Sequence, residues 1–143
     1  MELNSNQIAK ILPQSYPFLM IDRVVDFKKG ESLTAIKNIT GNEWFFDDQS
    51  CRSEVFPETL LIEAAAQAAI LFYRLNNEGK KPDSQIFLGR TKAEFFRPVY
   101  VGDQLNLKTA SYKMLEASGY VDIDARVNEV ETARIEIMYS IVK

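Results

Sequence analysis

Apolar and polar residues alternate most regularly near the end of the chain. There Val121, Ile123, Ala125 and Val127 interleave with Asp122, Asp124 and Arg126. After a turn at Asn128 to Glu131 the same period resumes in Ala133, Ile135, Ile137, Tyr139 and Ile141. A period of two sends one face of a strand into a core and leaves the other wet, so these stretches predict two antiparallel strands. Gln85 to Phe96 and Leu105 to Met114 read as further strands, joined by a bend at Pro98 to Asp103, and Glu116 to Gly119 reads as a turn. Toward the N-terminus, Ser5 is placed to cap a short helix, Asn6 to Leu12, which Pro13 stops. Phe18 to Phe27 reads as an extended stretch, Lys28-Lys29-Gly30 as a turn, and Ser32 to Ile39 as the hairpin partner. Neither of these strands alternates cleanly, which predicts partial burial on both faces.

The middle of the chain has a different pattern. Gly41 to Phe56 has no periodicity, yet it holds Trp44, Phe45, Phe46 and Cys51. A loop this apolar is expected to line a pocket or an interface. Pro57 suits the first turn of a helix, with Glu58 near its positive end. From Thr59 to Leu75 the residues are apolar almost all round, so the helix must be enclosed on most sides. Glu58, Glu63 and Gln67 argue against a membrane span here, because carboxylates in hydrocarbon are costly. The element order predicts an α+β domain spanning residues 1–143, with an antiparallel sheet wrapped around one long apolar helix.

Composition narrows the chemistry. A hydrophobic fraction of 46% and a charged fraction of 26% are ordinary for a compact protein. The net charge of −3, without a basic cluster, makes nucleic acid an unexpected partner. A lone cysteine excludes an internal disulfide and gives no zinc-ligand spacing, and Met1 to Asn6 lacks the start of a secretory signal. A reducing cytoplasm is the expected setting, with no metal or cofactor. The histidine count is zero, which excludes every mechanism that uses an imidazole of this chain.

Four blocks, in order, carry a family resemblance: Leu12 to Val24, Ala35 to Phe46, Pro57 to Ala68, and Ala93 to Leu105. They resemble the bacterial 3-hydroxyacyl-[acyl-carrier-protein] dehydratases (FabZ-like) over about residues 11 to 107. The resemblance implies a hotdog fold, a dimer or trimer of dimers, and acyl tunnels at the subunit interface. It implies acyl-carrier-protein or coenzyme A thioesters as ligands, in fatty-acid or polyketide-like metabolism. It also places Glu63 where the family's catalytic acid sits. The departures are as specific as the matches. Counting on from Phe46, Gln49 stands where the family has its catalytic histidine, Glu58 replaces a glycine, and Gln14 replaces a second histidine. Near the tunnel mouth, Glu94 and Phe96 stand where the family carries cations.

Dehydration of a 3-hydroxyacyl thioester needs a base for the C2 proton and an acid for the departing hydroxyl. A carboxamide has no useful basicity near neutral pH, so Gln49 does not replace the base, though it can hydrogen-bond a thioester carbonyl. Gln67, one turn after Glu63, is expected to orient it. A plain structural role for Glu63, its carboxylate held by Gln67 or a backbone donor, competes with a catalytic one. Phe46, Asp48, Gln67 and Glu58 complete the candidate substrate contacts. Asp47, Asp48 and Cys51 are poor candidates for base or nucleophile, and Arg97 with Lys92 could meet an acidic carrier protein, though a pair of surface cations is usually just a solvated face. Three functions fit: a catalytically silent partner of a histidine-bearing dehydratase, an acyl thioesterase built on Glu63 and Gln49, and a non-catalytic acyl- or carrier-binding module.

Overall fold

The computed structural model describes residues 1–46, 55–78 and 84–142. Its elements in chain order are α1 (Ser5–Ile11), β1 (Arg23–Lys28), β2 (Ser32–Asn38), α2 (Glu58–Asn76), β3 (Gln85–Phe95), β4 (Gln104–Met114), β5 (Ser118–Val127) and β6 (Val130–Val142). The strands form a 6-stranded sheet in the order β1-β2-β4-β5-β6-β3, and every pairing is antiparallel. Irregularities in register at Val24/Asp26, Leu88/Arg90 and Thr109/Ser111 add local twist, which helps the sheet curl around α2.

α2 fills the concave side. Ala64, Ala65, Ala68 and Ala69 are fully buried along it, and their small side chains let the sheet approach closely. Leu33, Leu105, Leu107, Ile123 and Ile135, all fully buried, supply the facing layer from the sheet. The end of α2 is latched to the β1–β2 turn. The Asn76 Oδ1 accepts the Gly30 N–H at 2.7 Å, and the Tyr112 hydroxyl donates to the Gly30 carbonyl at 2.6 Å. Gly30 has φ +74°, a conformation that favours glycine. No described helix is long and apolar enough to cross a membrane.

The expected order of elements is found, with differences at several boundaries. The cap of α1 is Asn4, not Ser5: its side chain accepts the Gln7 N–H while the Gln7 side chain accepts the Asn4 N–H, a reciprocal capping box. The first strand begins at Arg23 rather than Phe18, because α2 takes the backbone groups of Phe18 and Met20 that a ladder would have used. The β5–β6 turn is tighter than expected, with only Asn128 and Glu129 between the paired Val127 and Val130. Their φ values of 50° and 67° define a hairpin turn whose twist matches the strands. Lys37 is buried at 4% exposure and ion-paired with Glu43, whose other carboxylate oxygen accepts the Thr40 N–H.

β3 lies at an end of the sheet. Phe87 and Leu88 on it are 49% and 53% exposed, and none of the described strands pairs with its outer side. The opposite end is partly covered by the N-terminal segment, which bridges from Leu3 to Val24.

Candidate functional site

The site is organised by Gln67. At 0% exposure, with polar atoms on a helix enclosed by apolar neighbours, it requires partners for every donor it carries. Its Nε2 donates to the Phe18 carbonyl at 2.5 Å and to the Glu63 Oε1 at 2.9 Å. Its Oε1 accepts the Met20 N–H at 2.8 Å. The Met20 amide is necessarily a donor, so the orientation of the carboxamide follows from the network. One side chain thus binds the Phe18–Met20 backbone to the middle of α2 and sets the rotamer of the half-buried Glu63. The Glu63–Gln67 contact is the one a structural role demands. Among the described residues that contact is made by Oε1 alone of the two carboxylate oxygens of Glu63.

A chain of aromatic contacts connects this region to the start of α2. Phe18 and Trp44 meet edge-on at 5.6 Å, and the Trp44 indole N–H donates to the Pro17 carbonyl at 3.1 Å. Trp44 then meets Phe45 at 5.4 Å, and Phe45 meets both Phe46 at 4.7 Å and Phe56 at 5.4 Å. Phe46 is half-buried within that chain, and its N–H donates to the Glu43 carbonyl. Glu58 is exposed and lines a separate hollow with Phe95, Phe96, Arg97 and Val99. Glu63 and Gln67 are therefore in direct contact, while Phe46 and Glu58 belong to other clusters. Gln49 and Asp48, with Asp47 and Cys51, lie outside the described residues.

Two features of this end of the molecule were not anticipated from the sequence. One is the pair of backbone partners of Gln67, whose only signal was the imperfect alternation of the Phe18 stretch. The other is a narrow cavity of about 30 Å³ between α2, β3 and β6, lined by Ala66, Ile70, Tyr73, Leu88, Ile137 and Tyr139 among others. Tyr73 and Tyr139 pack edge-on at 5.6 Å. The Tyr139 hydroxyl is buried without a hydrogen-bond partner among the described residues. Burial, reinforced by Tyr73, pushes its pKa up to about 12. The ring lies over Gly119, where any Cβ would fall 2.5 Å from the Tyr139 hydroxyl oxygen and 2.5 Å from the Lys113 carbonyl oxygen. Only glycine fits beneath it.

An antiparallel sheet curled around one apolar helix is the hotdog fold. Residues 12–136 match the model of the FabA-like domain, and the chain belongs to that family. It is 46% identical over 109 residues to the 3-hydroxyacyl-[acyl-carrier-protein] dehydratase FabZ of Janthinobacterium sp. (strain Marseille), covering 74% of this chain and 69% of that one. The FabZ of Nitrosospira multiformis is 38% identical over 145 residues, covering 97% of each. Among solved structures, the dehydratase heterocomplex ApeI:P from Xenorhabdus doucetiae superposes with a TM-score of 0.77 at 12% identity, over 95% of this chain and 91% of that one.

Proposed function

We propose that this chain is a FabZ-like subunit that binds 3-hydroxyacyl thioesters, dehydrates them poorly or not at all alone, and completes a working site with a histidine-bearing homologue. The observation that carries this reading is the zero histidine count in a chain that keeps an oriented carboxylate at Glu63. The reaction needs two proton-handling groups of different character. Glu63 is suited to exchange a proton with the departing hydroxyl. In this reading Gln49 stands where the partner base belongs, and a carboxamide does not take a proton from C2. Loss of a general base costs roughly 10²- to 10⁴-fold in rate.

A site divided between subunits removes the difficulty, since the histidine then comes from the other chain. The free edge of β3 is the natural place for that pairing, because an unpaired strand edge offers a row of backbone donors and acceptors to a second sheet. A relative in fold is described as a dehydratase heterocomplex, which is consistent with unlike dehydratase-type subunits assembling on this architecture.

The test is complementation. A histidine-bearing FabZ homologue from the same source is inactivated by replacing its own helix glutamate with glutamine. It is then mixed with this chain and a panel of 3-hydroxyacyl thioesters, and loss of water is followed by mass spectrometry. Activity should return with the wild-type chain and not with the Glu63→Gln variant. Rapid water loss by this chain alone would overturn the reading. Release of free acid that disappears on Glu63→Ala would replace it with thioester hydrolysis.

A further inference from the structure

The geometry points to Tyr73, braced by Tyr139, as the stop that limits how long an acyl chain this subunit accepts, at about nine carbons. The inference rests on the reading that Glu63 marks the thioester end of the site. With 3.6 residues per turn, Glu63, Ala66, Ile70 and Tyr73 fall within about 80° of arc on α2. They form one stripe, running from the carboxylate at one end to the phenol ring at the other. Ala66, Ile70 and Tyr73 line the cavity, which therefore lies on the same stripe of α2 as Glu63, one turn further along at its near end. Its walls are aliphatic and aromatic, which suits an alkyl tail and nothing charged.

The path ends abruptly. Tyr73 is 7% exposed and Tyr139 is 5% exposed, and their rings meet at 5.6 Å across the bottom. Gly119 packs close beneath the phenol end of Tyr139, where a Cβ would fall 2.8 Å from its Cζ, so the ring is hemmed in on that side. Leu88, which is 53% exposed, forms the outer wall and becomes enclosed if the β3 edge is covered.

The length follows from helix geometry. Ten residues separate Glu63 from Tyr73, an axial distance of about 15 Å. The side chains of Glu63 and Tyr73 both lean toward the N-terminus, so their separation stays near ~15 Å, of which van der Waals contact with the ring takes up about 3.5 Å. An extended chain with bonds of about 1.5 Å and angles near 111° advances about 1.25 Å per carbon, so the remaining ~11.5 Å holds about nine carbons. The cavity of about 30 Å³ receives only the tip of that chain, and the rest lies along the stripe.

Thioether analogues of acyl-pantetheine, with straight saturated chains of four to fourteen carbons, test this without turnover. Dissociation constants are measured calorimetrically with the purified full chain. Each carbon that finds apolar cover should tighten binding about fourfold, up to about nine carbons and not beyond. Tyr73→Ala should move that plateau longer by about four carbons, the reach of the lost side chain, and Tyr73→Phe should leave it in place. Ala66→Leu, which narrows the path near its start, should move the plateau shorter, and it keeps the test open if Tyr73→Ala fails to fold. A plateau that ignores both Tyr73→Ala and Ala66→Leu, or affinity that climbs steadily to fourteen carbons, overturns the stop while leaving thioester binding intact. No binding at any length overturns the acyl-thioester reading and the stop together.

Discussion

Replacing Gln67 with leucine keeps the volume of the side chain and removes every hydrogen bond it makes. The Met20 N–H, on a residue 1% exposed, then loses its acceptor, and the Phe18 carbonyl loses its donor. A buried backbone group left unsatisfied costs about 1–3 kcal/mol. The Phe18 carbonyl is only partly buried, so its share lies at the low end, and the sum is about 2–4 kcal/mol. For a chain of this size that corresponds to a fall of about 10 °C in Tm. Urea unfolding followed by circular dichroism gives the free energy directly. Gln67→Glu sharpens the test. It keeps an acceptor for Met20 but sets a second carboxyl beside Glu63, so the fold favours the protonated form of the new residue. Its native pKa is then raised above the unfolded value of about 4.3, the native state binds more protons in between, and stability falls as pH rises through that window. The variant should recover as pH is lowered from 7 toward 5, whereas Gln67→Leu should not. If Gln67→Leu stays within about 1 kcal/mol of wild type, Gln67 is not the fastener described here.

Other expectations follow from the same packing. Gly119→Ala should destabilise by more than about 2 kcal/mol in urea unfolding, because its Cβ meets a backbone carbonyl as well as a phenol. Adding Tyr139→Phe to that variant should recover only part of the loss. Tyr139→Phe alone removes an unpaired buried hydroxyl and should be neutral or stabilising at pH 7. Wild-type stability should decline between the ordinary tyrosine value of 10.0 and about 12, since the unfolded chain ionises first, and Tyr139→Phe should flatten that decline. Glu129→Gly, at φ 67°, should raise stability by about 1 kcal/mol, read as a higher urea midpoint at an unchanged slope.

Much of the fold was legible because its two strongest signals are periodic. The alternation from Val121 to Ile141 and the apolar run from Thr59 to Leu75 fixed the sheet and the helix, and the order of elements followed. Boundaries were harder where tertiary hydrogen bonds override local pattern. Phe18 to Asp22 reads as strand until Gln67, 47 residues beyond Met20, takes its backbone groups. Asn4 and Ser5 both suit an N-cap, and only the reciprocal bond from Gln7 separates them. Within the candidate site, the Glu63–Gln67 pair was visible from helical spacing alone. The Tyr73–Tyr139 contact was not, since 66 positions separate the two tyrosines and no local pattern relates them.

The outer edge of β3, which none of the described strands covers, also bears on supply. Eleven residues of strand whose outer side none of the described strands occupies, carrying the exposed Phe87 and Leu88, make a template for whatever strand arrives first. A copy whose β3 edge stays uncovered is therefore an aggregation hazard, because an edge able to accept a folded strand also accepts an unfolded neighbour. Under the proposed pairing, the amount of chain held in solution should then follow the amount of partner made beside it.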